Sequence, residues 1–198
     1  MDVALLPDDD ELAADALPSQ SESCLPSTLD LISTAVRRWF PTIQHMTTPE
    51  LDARLTQTLR DGRDTCAKTG AQLLLLDVRE PAEFAVSHIP SAINISPSAY
   101  TSPDAVRELL ASAGAQRDAE IVCYCSVGVR SSQLALAIAK VDPRRVSRVH
   151  NLDGSIFRWA NEGRRLVNSR LQPTAYVHPY SNLWGRLVRT DLRAFEQD

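Results

Sequence analysis

Cys125 and Arg130 are the residues of this chain best placed to do chemistry together. They bracket Ser126, Val127, Gly128 and Val129 in the stretch IVCYCSVGVRS at 121–131. A short apolar run ends at Cys125, and an Ala/Leu-rich stretch suited to a helix starts at Ser131. A cysteine between a strand end and a helix start sits where backbone N–H groups converge and the helix dipole is positive. That setting lowers a thiol's pKa and binds anions. Cys125 therefore reads as a thiolate nucleophile and Arg130 as the cation closing the loop. The planar fork of Arg130 suits either an anionic donor or a carboxylate that braces the loop. Gly128 permits backbone geometry that a β-carbon would obstruct. Ser131 can cap the helix it opens.

The elements that must hold this loop follow from the periodicity. Residues 27–40 show helical spacing of Leu29, Ile32, Val36 and Phe40, with Ser27 as a cap. This helix is expected to pack on the domain edge, with partner binding as the other reading. Residues 43–46 suggest a first strand. A helix over 48–60 follows, its Thr-Pro-Glu start suiting an N-cap and Pro at N1. The continuous apolar run at 72–77 fits a central parallel strand buried on both faces. A helix at 80–87, a strand at 92–95 and a helix at 103–113 lead to the strand at 121–124. The helix at 131–140, a strand at 146–151 and a helix at 155–162 complete the alternation. Such alternation implies a doubly wound parallel sheet with helices on both faces. Ligands of these sheets bind at the carboxyl ends of strands, where Asp77 and Cys125 both fall.

Four stretches, taken together, carry a family resemblance: LLLLDVRE at 73–80, SHIPSAINI at 87–95, the Cys-x-x-Gly-x-Arg-Ser loop, and LDGSIFRW at 152–159. In this order they resemble a single-domain rhodanese-like sulfurtransferase over roughly residues 43–168. The resemblance implies a five-stranded rhodanese-like sheet and a reaction in which Cys125 takes a sulfane sulfur, holds it as a persulfide and passes it on. Cysteine fits that task because its thiolate is a strong nucleophile and S–S bonds exchange readily. Backbone N–H groups of Ser126, Val127, Gly128, Val129 and Arg130 would bind the donor and the anionic persulfide. Asp77, Arg79 and Ser131 would support the loop from beneath, and His88 would be a hydrogen-bonded structural histidine. No cofactor or metal is required. The donor would be a small anion such as thiosulfate, and the acceptor a thiol, cyanide or a protein.

The loop places four residues between Cys125 and Arg130. The phosphatases and arsenate reductases that resemble this fold place five, a wider cradle for a tetrahedral oxyanion, so the spacing favours sulfur transfer over that alternative. A non-catalytic interaction or regulatory module is the other alternative, and the intact Cys125, Gly128 and Arg130 argue against it. Some thiosulfate-using relatives carry a basic residue just after the cysteine, where this chain has Ser126 and Val127. Two-domain relatives carry an arginine where this chain has Glu83, which removes a cation from the donor site. Ser91 and Ser155 stand where glycine is frequent and read as loop tolerances.

Composition narrows the class further. The 198 residues, 43% hydrophobic and 23% charged, suit one globular domain with extensions. No apolar run approaches the ~20 residues of a membrane span, and the start lacks a basic, apolar leader. A cytoplasmic, reducing location is expected. The net charge of −4 hides a gradient: residues 1–40 hold eight acids and two bases, whereas the chain from Ile121 on holds twelve bases and six acids. A basic half suits a small anionic substrate, but its scattered charges lack the interleaved aromatics of a nucleic-acid surface. The cysteines at 24, 66, 123 and 125 form no C-x-x-C pair and no ligand spacing with the histidines, against a zinc site. Cys123 reads as a small core residue, or as a thiol that resolves a persulfide on Cys125. Residues 1–26 read as a disordered acidic tail, 27–42 as a helix and linker, and 169–198 as an aromatic extension. That extension is either a strap, burying Tyr176, Tyr180, Leu183, Trp184 and Leu187 on the domain, or a segment that docks a partner.

Overall fold

The structure, a computed structural model, describes residues 27–61 and 72–196. The expected acidic tail, Cys24 and Cys66 lie outside these residues. In chain order come α1 (Thr28–Trp39), β1 (Gln44–Met46), α2 (Thr48–Asp61), β2 (Leu73–Asp77), α3 (Pro81–Val86) and β3 (Ile93–Asn94). They are followed by α4 (Pro103–Ser112), β4 (Glu120–Tyr124), α5 (Val129–Val141), β5 (Val149–Leu152) and α6 (Ser155–Asn161). A two-stranded antiparallel ribbon, β6 (Leu166–Val167) with β7 (Pro173–Thr174), opens the C-terminal extension. Strands β1 to β5 form one parallel sheet in the order β1-β5-β4-β2-β3. This is the doubly wound parallel arrangement expected from the alternation of elements, with the five strands that the family resemblance implies.

Strand alternation explains why the sheet is covered on both faces. On β2 and β4, Leu75, Val122 and Tyr124 face the core shared with α1, α6 and the C-terminal extension. Leu74, Leu76, Ile121 and Cys123 face the opposite core with α4 and α5. Successive side chains on a strand point to opposite faces, so a run of apolar residues feeds both layers. Cys125 continues the second set and is 1% exposed. Among the described residues no helix is long and apolar enough to cross a membrane.

Local chemistry moved several boundaries. Ser27 caps α1 as anticipated, through a reciprocal box with Asp30. For α2 the cap is Thr47 rather than Thr48: the Thr47 hydroxyl accepts from Glu50 N–H, and Glu50 accepts from Thr47 N–H. The last sheet strand starts at Val149 rather than at 146. Pro143 opens a 3-10 turn over Pro143–Arg148, Asp142 accepts from Arg144 N–H, and the turn is fastened by Arg145, which donates to Gln116 O. Helix α5 begins at Val129, so Ser131 lies inside its first turn and is not its cap.

The C-terminal extension packs on the domain through only two of the five residues the sequence suggested, Trp184 and Leu187, while Tyr180 is half exposed. Tyr176 and Leu183 are exposed, and Val177, Val188 and Leu192 are buried instead. Val177 lies in the path of a bridge to Arg193, its N–H donating to Leu192 O and its carbonyl accepting from Ala194 N–H. Trp184 and Leu187 are only partly buried against the same core.

Candidate active site around Cys125

Strand β4 delivers Cys125 to the carboxyl edge of the sheet, and the chain turns at Gly128 into α5. Gly128 has φ 110°, which L side chains rarely adopt, and its N–H donates to Cys125 Sγ at 3.1 Å. A β-carbon there would lie 3.1 Å from Asn151 Nδ2 and 3.5 Å from Val36 Cγ1. Burial by itself raises the thiol pKa. The positive charge of Arg130, the hydroxyl and N–H of Ser131, and the Gly128 N–H outweigh it and hold the Cys125 thiol below its ordinary value. Cys123, wholly buried without such partners, is pushed up, chiefly by burial and then by Cys125.

The loop is clamped from behind by the start of α6. Cys125 N–H donates to Ser155 Oγ at 3.2 Å, and Ser155 in turn donates to Leu152 O. Cys125 O accepts from Ile156 N–H and Ser126 O from Phe157 N–H, at 3.1 and 3.2 Å. Ser155 occupies a left-handed conformation, φ 51°, to make this contact. It is therefore part of the cradle, which corrects its reading as a loop tolerance. Ser131 Oγ donates to Asn151 Oδ1 at 2.6 Å, and Asn151 Nδ2 lies 3.4 Å from His45 Nδ1. Ser131 is thus tied to β5 while staying within reach of the thiol.

Arg130 is held by a carboxylate. Its Nη1 and Nη2 donate to the two oxygens of Glu83 at 2.8 and 3.0 Å, and Nη2 also donates to Ser126 Oγ at 2.9 Å. Ser126 Oγ donates to Glu83 as well. Burial works against the charge on each partner, yet Arg130 is raised and Glu83 lowered by their pairing. Asp77 and Arg79 form a wholly buried ion pair at 2.6 Å. From it Arg79 donates to the carbonyls of Glu83 and Ser87, which fixes α3 and with it the Glu83 carboxylate. Their hydrogen bonds thus brace α3 beside the loop rather than the loop from beneath.

The remaining expected residues separate cleanly. Val127 is buried in the core and Val129 packs against it, so their side chains are taken up by packing. His88 stacks on Phe84 at 3.8 Å, and its Nδ1 hydrogen-bonds Phe84 O at 3.1 Å. Glu83, read from the sequence only as a cation missing from the donor site, is the carboxylate that holds Arg130, and Asn151, Ser155 and Tyr180 join the site without having been assigned to it from sequence. Tyr180, from the C-terminal extension, lies over the Arg130 guanidinium at 4.9 Å from ring centre. Tyr100 also borders it. Burial and then the charge of Cys125 push its phenol up to about 12, so it stays protonated at neutral pH. Among the described residues no group of three His, Cys, Asp or Glu side chains is arranged to hold a metal.

The chain has relatives among known proteins. The family model described as Rhodanese-like domain matches residues 56–162. A protein named Sulfurtransferase from Allochromatium vinosum is 34% identical over 119 residues, 60% of this chain and 94% of its own length. A probable adenylyltransferase/sulfurtransferase, MoeZ of Mycobacterium tuberculosis, is 35% identical over 104 residues. There the match spans 52% of this chain but less than a quarter of the relative, 23%. Among solved structures, yeast Ygr203w is described as a protein tyrosine phosphatase of the rhodanese family. It is 18% identical, with TM-score 0.46, covering 60% of this chain and 84% of its own.

Proposed function

This chain belongs to the rhodanese-like domain family, and from that premise we propose that it is a sulfurtransferase carrying a sulfane sulfur as a persulfide on Cys125. The observation that carries the reading is the thiol itself. Cys125 accepts from the Gly128 N–H, lies beside Arg130, and is held below the ordinary thiol range in spite of its burial.

With thiosulfate as donor, the Cys125 thiolate attacks the outer sulfur. The Sγ–S bond forms, the donor S–S bond breaks, and sulfite leaves with the electron pair. The persulfide keeps one negative charge, at a position where the Gly128 N–H and the start of α5 favour it. An acceptor nucleophile, such as a thiol, cyanide or a protein thiol, then attacks the outer sulfur and releases the Cys125 thiolate. Neither step needs a metal or a cofactor, and both need a reduced cysteine, as in a cytoplasmic setting.

The phosphatase alternative is disfavoured by how Arg130 is used. Its terminal nitrogens are both engaged by Glu83, and one of them also by Ser126, so a phosphate would have to displace the carboxylate to gain that fork, and the loop is one residue short. Intact mass after incubation with thiosulfate tests the proposal. The wild type should gain the mass of one sulfur atom and lose it to cyanide, while a folded Cys125→Ser variant should gain nothing. Sulfur retained by that variant, or release of phosphate from an aryl phosphate at the expense of loading, would overturn it.

A further inference from the structure

Arg130 has two edges and two faces, and the structure accounts for most of them. The edges point to Glu83 and Ser126. A face lies under the ring of Tyr180, 4.9 Å from its centre, close enough for a cation–π contact. Tyr180 is not there to fill a core, since it is 49% exposed. It is held in a left-handed backbone conformation, φ 63°, which is rare and strained for a bulky residue. The segment bearing it is pinned on both sides. Val177 exchanges backbone hydrogen bonds with Leu192 and Ala194, Pro179 is packed so close to Gly185 that a β-carbon there would approach it to 2.8 Å, and the Tyr180 N–H donates to His178 Nδ1. The extension thus presents one aromatic ring, under strain, to the Arg130 cation beside Cys125.

We propose that Tyr180 is a positioning and specificity-determining residue of the Cys125 site: by stacking on Arg130 it keeps that cation on Glu83 and turns the thiolate away from small, doubly charged donors toward donors of lower charge. With both terminal nitrogens on Glu83, Arg130 has fewer N–H groups to turn toward an incoming ligand, and the Glu83 carboxylate sets a negative charge against the cation that faces Cys125. A dianion meets two negative groups there, whereas a singly charged or neutral donor, an organic persulfide for example, meets far less repulsion. From such a donor the Sγ–S bond forms and the donor S–S bond breaks. The electron pair departs on the organic thiolate, which takes up the hydropersulfide proton.

The proposal rests on the sulfurtransferase reading for its substrates but not for its test. Cys125 is alkylated with two probes of similar size, neutral iodoacetamide and anionic iodoacetate, and the rates are read by peptide mapping. In Tyr180→Ala, Arg130 is free to leave Glu83 and meet the anion. The iodoacetate-to-iodoacetamide rate ratio should rise about threefold over wild type, the worth of one partly exposed cation–π contact. Tyr180→Phe, which keeps the ring, should match wild type. Tyr180→Leu, which keeps bulk without the aromatic face, should behave like the Ala variant, and it carries the test if the Ala variant does not fold. In parallel, the KM for thiosulfate loading should fall in Tyr180→Ala with kcat unchanged. An unchanged ratio in the Ala and Leu variants, or a Phe variant that shifts as they do, overturns the proposal. A shifted probe ratio in a protein that never gains sulfur would overturn the sulfurtransferase reading and leave the role of Tyr180 standing. Sulfur loading with an unshifted ratio would do the reverse.

Discussion

Replacing Glu83 by glutamine should destabilise the protein in a way that depends on pH. The carboxylate is 3% exposed and accepts from both Arg130 nitrogens, from the Ser126 hydroxyl and from Glu80 N–H. Glutamine keeps the shape but turns one acceptor into a donor, which faces an arginine N–H. One charge-assisted hydrogen bond is lost outright, about 1.5–3 kcal/mol. The Arg130 side chain is 21% exposed, so water recovers part of the cost and about 2 kcal/mol is expected. For a chain of this size that lowers the melting temperature by roughly 4–8 °C at neutral pH. The folded pKa of Glu83 is held low, chiefly by Arg130 against the opposing effect of burial. A depressed carboxylate contributes stability that is fully present above its unfolded pKa, about 4.3, and is lost as pH falls through the lower folded value. The gap between wild type and Glu83→Gln should therefore be constant above about pH 5 and close progressively below it. Thermal melts of both proteins between pH 3 and 7 provide the assay. A gap that stays the same at every pH, or no gap at neutral pH, refutes the assignment of that stability to the Arg130–Glu83 pair.

Two further predictions follow from contacts described above. Gly128→Ala should cost about 1–3 kcal/mol, for a non-glycine residue forced into φ 110° against Asn151. As the loop shifts, the midpoint of the pH profile for Cys125 alkylation should move upward, a change that melting and alkylation rates measure together. Truncation after Asn168 should lower the melting temperature by roughly 5 °C or more, because Val177, Val188 and Leu192 are lost from the core. The truncated protein should also show the iodoacetate ratio of Tyr180→Ala, since both remove the ring from Arg130.

What the sequence made legible was what local pattern can encode. The apolar run at 73–76 and its counterpart at 121–124 are buried on both faces, and such runs announce central parallel strands without any knowledge of partners. The candidate nucleophile was legible for the same reason: a strand end, a glycine and a helix start are consecutive in the chain. Pairings over distance were not. Glu83 and Arg130 stand 47 residues apart, and Cys125 and Ser155 stand 30 apart. Nothing within either segment says that a carboxylate or a hydroxyl will arrive there. Ser131 misled because a serine near a helix start usually caps it, yet its hydroxyl is claimed by Asn151 on a neighbouring strand. Tyr176 and Leu183 misled because residue type alone does not show which side of an irregular segment meets the domain, and smaller aliphatics took that side.

The clamp of α6 on the loop also bears on when the nucleophile comes into being. During synthesis Cys125 emerges before Leu152, Ser155, Ile156 and Phe157, the residues that hold its backbone. Strand order sets a similar delay, for β1, the first strand made, must wait for β5, the last of the sheet, before it has a neighbour. Such non-local closure is slow compared with helix formation. Until it occurs, Gly128 and Asn151 have no fixed relation, and the loop backbone lacks its clamp from α6. The cradle that fixes the Cys125 backbone is thus complete only once β5 and α6 have packed.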